Sequence, residues 1–241
     1  MRPIRGAGRI VALLLLLLVC LGPHLLTRVR KRPSSWSQRF LAGVARLSGA
    51  DVTVRGVALH NDVLFVANHQ SWLDIPIIAG ATGTAFVARS SIRQWPLVGW
   101  LASLNDSVFV ENGDRAGVAG QVAAVRAALG RHQPVTIFPE GTTGAALLPF
   151  KPALLAVVAP PPSAIRVQPL RVDYGMAAHL AWIGDEPVLA NLWRVLTHRR
   201  FAVTLDCLEP FDPAVLPDRK AIAAEARARI QTGSAWTAER V

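Results

Sequence analysis

The stretch "LFVANHQSWLDIP" spans Leu64 to Pro76. Its first half is an apolar, β-prone run that ends in Asn68-His69, and Asp74 follows five residues after the histidine. A short apolar run bounded by polar residues reads as a strand buried on both faces, the pattern of a parallel sheet. In such sheets ligands gather outside the carboxyl ends of the strands. His69 is the first long polar side chain at that end. Ser71-Trp72-Leu73-Asp74 then reads as an S-x-x-D capping box. Alternatively Asp74 is itself the N-cap, with Pro76 tolerated in the first turn. Both versions start a helix near residues 71–75.

Geometry decides what the histidine and the aspartate can do together. On a continuous helix five residues turn about 500°, which leaves the two side chains about 140° apart. At a strand-to-helix junction the carboxylate can fold back toward the ring. Two readings therefore stand side by side. In one, His69 bonds main chain at a strand end and Asp74 caps a helix. In the other, the carboxylate fixes the tautomer of an imidazole that acts as a general base.

The rest of the chain supports the same architecture. Short β-branched runs at 52–54, 63–67, 85–88, 107–110, 135–138, 166–170 and 201–207 alternate with helical stretches at 75–81, 95–102, 116–130, 188–196 and 219–231. Strands alternating with helices predict an α/β fold, a mostly parallel central sheet flanked by helices. No G-x-G-x-x-G, P-loop or G-x-S-x-G pattern occurs, which argues against nucleotide-binding and serine-hydrolase sites. Ser71 also stands too near His69 in sequence to complete an easy triad. The six histidines are scattered, with no metal-ligand spacing. Cys20 and Cys207 suggest no disulfide framework, in keeping with a domain that faces the cytosol.

Charge is concentrated at one end. The formal net charge is +10, and residues 1–50 carry nine Lys and Arg with no acid, leaving the remainder close to neutral. A nucleic-acid binder spreads its cations over a folded face. Here they flank the apolar run "IVALLLLLLVCLGPHLL" from Ile10 to Leu26, a pattern that suits anionic lipid headgroups, so membrane lipids are expected partners and nucleic acid is not. As a helix this run is about 26 Å long, a little short of a ~30 Å hydrocarbon core. Gly22-Pro23 is expected to bend it or end it early. No A-x-A-like cleavage site follows, so a retained anchor is preferred to a signal peptide. It can span the bilayer or insert partway, with Trp36–Gly49 as a second, amphipathic surface helix. Residues 1–49 are thus read as anchor and basic flank, and 50–241 as the catalytic domain, on the cytoplasmic side of the cell membrane. Trp95 and Trp100 are read as core residues first and as lining of a groove second.

Several blocks carry a resemblance to a known family. "NHQSWLDIP" resembles the N-H-x-x-x-x-D block of the glycerolipid acyltransferases, enzymes of the 1-acyl-sn-glycerol-3-phosphate acyltransferase type. "IFPEGTTG" (Ile137–Gly144) resembles their more specific F-P-E-G-T block, "LLPFKPAL" (Leu147–Leu154) their Phe-Lys segment, and "RVQPLRV" (Arg166–Val172) their last strand block. "SVFVENGDR" (Ser107–Arg115) is similar to a strand that usually reads F-I-D-R, with Arg115 three positions late. The likeness covers roughly residues 51–173.

The resemblance implies an O-acyltransferase that moves a fatty acyl group from acyl-CoA or acyl carrier protein, with no other cofactor and no metal, to the hydroxyl of a lysophospholipid. It implies catalytic roles for His69 and Asp74. Acceptor binding falls to Glu140, Gly141, Thr142, Thr143, Lys151 and Arg115, and Arg89 is read, outside the matched blocks, as a further cation for the acceptor. The family's base rate favours lysophosphatidate as the acceptor. Thr143 stands where that group often carries arginine, and "AWIGDEPVLANLWRVL" (Ala181–Leu196) looks like the lyso-ornithine lipid branch, so lyso-ornithine lipid is the competing acceptor. A lipid-binding membrane protein without chemistry is the alternative from another class. It requires no meeting of His69 with Glu140.

Overall fold

The computed structural model describes residues 2–30, 34–110, 115–162 and 164–233, with the main chain alone at 115–119. In chain order the elements are α1 (Arg2–Val29), α2 (Trp36–Ser48), β1 (Ala50–Arg55), β2 (Val63–Ala67), α3 (Asp74–Thr82), β3 (Ala85–Arg89), α4 (Ser90–Arg93), α5 (Pro96–Leu104), β4 (Val108–Val110), α6 (Arg115–Leu129), β5 (Val135–Ile137), β6 (Arg166–Asp173), α7 (Val188–Thr197), β7 (Phe201–Cys207) and α8 (Arg219–Thr232). Short 3-10 turns at Leu154–Val158, Gly175–Leu180 and Pro213–Val215 fill the longer connections.

Among the described residues seven strands form one sheet in the order β1-β7-β6-β2-β5-β3-β4. All neighbours are parallel except β6 and β7, which pair antiparallel through Leu170–Asp173. The expected mixed α/β, mostly parallel architecture is what forms. β6 runs three residues past its expected end because that extension is what pairs with β7.

β2 lies in the middle and every residue in it is buried. Its side chains alternate as the pleat requires. Val63, Phe65 and Ala67 join Leu73, Ile77, Ile78 and Val203 in the core on one face. Leu64 and Val66 meet Val125, Leu129, Ile137 and Ile222 on the other. Burial on both faces is why the run is uniformly apolar.

α2 ends at Gly49, whose φ of 105° is a left-handed cap, and it packs between α1 and α3. α1 differs from expectation, since it continues about two turns past Pro23. Those turns are held by tertiary contacts. His24 Nδ1 lies 2.9 Å from Ser34 Oγ, Thr27 Oγ1 donates to the His24 carbonyl, and Arg28 pairs with Asp106 at 3.0 Å. Trp95 and Trp100, expected in the core, are 40% and 41% exposed.

Candidate active site

Three adjacent parallel strands, β6-β2-β5, end on the same edge, and each leads into a loop that carries site residues. After β2, Asn68 is buried and bridges to β6. Its amide donates to the Val172 carbonyl at 2.9 Å, and its oxygen accepts the Val172 N–H at 2.8 Å. The clamp fixes where the next residue, His69, leaves the sheet.

Asp74 is the first helical residue of α3. Leu73, not Asp74 or Ser71, occupies the N-cap position, and no side chain caps the helix. The Asp74 carboxylate instead turns backward into the loop. Its Oδ2 accepts from His69 Nδ1 at 2.9 Å and from the N–H groups of Gln70 at 2.6 Å and Ser71 at 2.9 Å. Its Oδ1 accepts the Tyr174 hydroxyl at 2.6 Å. Asp74 is fully buried, while the His69 side chain remains 17% exposed. A carboxylate with four donors around it holds the proton on the ring nitrogen that faces it. His69 Nε2 is left as an acceptor.

Phe138, at the end of β5, stacks on the His69 ring with centroids 4.0 Å apart, and Phe86 stacks behind it at 5.7 Å. Glu140 is buried and turned inward. One oxygen accepts the His69 N–H at 2.8 Å and the other the Leu148 N–H at 2.9 Å. Burial raises its pKa above the ordinary carboxylate value, and these two hydrogen bonds oppose the rise. Gly141 has φ of 72°, and the Lys151 ammonium lies 3.0 Å from where a β-carbon on Gly141 would sit. Any larger residue would therefore displace the lysine as well as strain the turn. Arg89 donates to the Gly141 carbonyl at 2.5 Å. Thr142 is exposed, and the Thr143 hydroxyl donates to the Trp182 carbonyl at 2.5 Å.

The loop after Leu180 closes the ring of contacts. The Trp182 N–H donates to the Gln70 carbonyl at 2.8 Å, and Trp72 Nε1 donates to the buried Asn191 on α7 at 3.1 Å. The His69 carbonyl accepts the Gly144 N–H at 3.0 Å. Of the residues singled out in the sequence, His69, Asp74, Glu140, Gly141, Thr143, Lys151 and Arg89 thus meet at one sheet edge. Arg115 starts α6, and its side chain lies outside the described residues.

Sequence reading passed over Asn68, Phe138 and Tyr174 as functional groups. Tyr174 is the chain's single tyrosine and stands at the end of a strand, which was its only signal. Burial and the neighbouring Asp74 charge push its phenol well above the usual range, so it remains a hydrogen-bond donor. Cys207 is buried, and its thiol is pushed up to about 11, which leaves an inert sulfur. Among the described residues no group of three or more His, Cys, Asp or Glu side chains could hold a metal ion.

An acyltransferase family model matches residues 51–173, which takes in both the histidine–aspartate loop and the Phe-Pro-Glu-Gly turn. The chain belongs to the acyltransferase family. The acyltransferase is 33% identical over 219 residues to a lyso-ornithine lipid O-acyltransferase of Pseudomonas aeruginosa, covering 88% of this chain and 82% of that one. It is 31% identical over 166 residues to a 1-acyl-sn-glycerol-3-phosphate acyltransferase of Neisseria gonorrhoeae, covering 67% and 65%. The crystal structure of the 1-acyl-sn-glycerophosphate acyltransferase PlsC of Thermotoga maritima shares the fold, with a TM-score of 0.71 at 23% identity over 96% of this chain and 95% of that one. The chain is therefore an O-acyltransferase. Its α1 is long and apolar enough to cross a membrane by length and composition, and together with its relatives this points to membrane association.

Proposed function

We propose that the acyltransferase esterifies the free hydroxyl of a lyso-ornithine lipid, using an acyl thioester of CoA or acyl carrier protein as donor and no resident cofactor. The contact that carries the reading is His69 Nδ1 to Asp74 Oδ2 at 2.9 Å, which leaves Nε2 facing outward as the base. Nε2 takes the proton of the acceptor hydroxyl as its oxygen attacks the thioester carbonyl. The tetrahedral adduct then expels the thiolate, which takes the proton back from the imidazolium. An ester bond forms, a thioester bond breaks, and no acyl-enzyme is needed.

Two features favour ornithine over phosphate in the acceptor. A phosphomonoester dianion calls for several free cations. Near the Phe138–Gly141 turn Arg89 is already engaged by a carbonyl, and Thr143 stands where arginine would add charge. Lys151 then remains for one carboxylate. Relatives named for lyso-ornithine lipid also align over most of their own length. Lysophosphatidate is the second reading, on the strength of the Neisseria relative.

α1 is tied to the body at both ends. Arg5 donates to the Thr197 carbonyl, and Arg9 to those of Ser48, Leu196 and His198 at 2.9–3.0 Å. Near the other end Arg28 pairs with Asp106. A helix pinned at two points about 35 Å apart lies along the domain. On this reading α1 rests in the plane of the membrane with its exposed leucines in lipid, and the catalytic body lies on the cytoplasmic side.

The test is a purified-enzyme assay with one labelled acyl thioester, offering lyso-ornithine lipid and lysophosphatidate side by side. The ornithine acceptor is expected to be acylated faster, and a preference for lysophosphatidate reverses the assignment. His69→Ala is expected to lower turnover by about 10²–10⁴-fold. Undiminished turnover in that variant removes the mechanism.

A further inference from the structure

α5 is an unusual helix for a protein surface. Its nine residues, "PLVGWLASL", include no charge, and only Gly99 is buried. That face rests on α4, where a β-carbon at Gly99 would stand 2.4 Å from the Arg93 carbonyl oxygen. Leu101, Ala102 and Leu104 are half-buried, while Leu97 is 54% exposed, Val98 and Trp100 are exposed with it, and Trp95 is exposed just ahead of the helix. A helix that is apolar on all sides belongs in a core or in lipid. Scattered exposed leucines are ordinary, but a contiguous patch with two tryptophans is not.

We propose that α4–α5 is a second bilayer-inserting element, which dips Trp95, Leu97, Val98 and Trp100 into the headgroup–acyl boundary of an anionic membrane. The inference rests on the reading of α1 as an in-plane anchor and goes beyond it, because this element hangs beside the chemistry. Three observations name lipid as the occupant.

The first is continuity with α1. Arg28 near the end of α1 donates to the Leu104 carbonyl and pairs with Asp106, so the carboxyl end of α5 is fastened next to the exposed Leu25 and Leu26 of α1. The second is charge. Arg89 and Arg93 lie at the patch, and Asp106, the one acid between residues 89 and 106, is already paired with Arg28. Such cations suit anionic headgroups, and tryptophan is the side chain favoured at that depth. The third is position. Arg89, immediately before α4, binds the Gly141 carbonyl, and Phe86 on the same strand stacks on Phe138, which stacks on His69. A lipid whose chain enters beside α5 would present its hydroxyl to Nε2 without leaving the bilayer.

The test uses the full chain with vesicles of phosphatidylethanolamine and phosphatidylglycerol whose acyl chains are brominated near the headgroup. Bromine quenches only tryptophans within contact range. Wild type is expected to co-sediment with the vesicles and to lose at least twice the fraction of emission that the Trp95→Phe/Trp100→Phe variant loses. Equal fractional quenching in the two proteins, with both bound, overturns this proposal and leaves the α1 anchor standing. Wild type that does not co-sediment overturns both.

Leu97→Asp is expected to lower turnover of vesicle-embedded acceptor at least tenfold with an unchanged melting temperature. Unchanged turnover counts against the proposal. Two other results assign the patch elsewhere and also overturn it. One is a dimer in detergent that Leu97→Asp dissociates. The other is quenching by monomeric brominated lysolipid with none from bilayers.

Discussion

Asp74 shows how much a single side chain can organise. Its carboxylate collects an imidazole, two main-chain N–H groups and a phenol, so the loop from His69 to Ser71 is wrapped around it. Tyr174 comes from 100 residues away and supplies the one contact that approaches from a different strand. Tyr174→Phe removes that donor and leaves a buried carboxylate oxygen unpartnered, at about 1–3 kcal/mol. Turnover is expected to fall about tenfold with the acceptor's KM unchanged, since the phenol touches Asp74 and not substrate. A rise in KM at constant kcat would place Tyr174 in the acceptor pocket. Nothing around Asp74 in the sequence points to this tyrosine, because the contact exists only once β6 and β2 pair. The His69–Asp74 contact, by contrast, was readable, because it is local and follows from a strand-to-helix junction.

Glu140 behaves differently at the same scale. With its pKa raised above 4.5, the folded protein holds more protons than the unfolded chain as pH climbs from 4.5 to the raised value. This group's contribution to stability therefore falls across that window as pH rises. Glu140→Gln removes that slope but turns an amide N–H toward either the His69 or the Leu148 N–H, for about 1–3 kcal/mol. Urea unfolding at pH 5 and pH 7 is expected to give a flatter pH dependence for Glu140→Gln and lower stability at both. An unchanged slope would mean that the carboxyl does not titrate from its buried position. Glu140 was read from the sequence as gripping the acceptor. Its two main-chain partners point to a second task, holding the loop that carries His69.

Among the elements, those that bury both faces were the most legible. β2 matches its apolar run residue for residue, because an all-apolar strand leaves its ends as the first polar positions. α4 was not readable, since four residues of Ser-Ser-Ile-Arg carry no period. Strand order was not readable either, because parallel strands linked by helices leave the order to packing. The passage of α1 through Pro23 had no local signal, as its support lies in contacts with Ser34 and Asp106. The α2–α3 crossing depends on one missing side chain. A β-carbon on Gly80 would stand 2.7 Å from the Ala42 α-carbon, inside any real contact. Gly80→Ala would force the helices apart for about 1–3 kcal/mol despite alanine's better helix propensity. The expected result is a lower melting temperature, with His69 chemistry weakened because α3 carries Asp74. A melting temperature raised by the helix-propensity gain would show that α2 can move without loss.

On the proposed reading the whole molecule does its chemistry at the edge of a bilayer without leaving it. The sheet places His69, Asp74 and Glu140 on one rim, and helices that face outward with apolar side chains lie at the same body. α1 decides how that body meets lipid. Arg9 donates to carbonyls at the end of α7, where the helix dipole favours a cation, and Arg28 is fastened near the end of α5. If α1 crossed the bilayer, one of these attachments would have to break, because a single soluble body cannot hold both ends of a helix on opposite sides of ~30 Å of hydrocarbon. Single cysteines at the positions of Arg2 and Arg30, in a background with Cys20 and Cys207 replaced by alanine, make the distinction. Both are expected to react with a membrane-impermeant maleimide added to inside-out vesicles, and neither to react in right-side-out ones. Reaction of the two positions from opposite sides would make α1 a spanning helix and would detach Arg9 or Arg28 from the contacts that hold α1 against the catalytic rim.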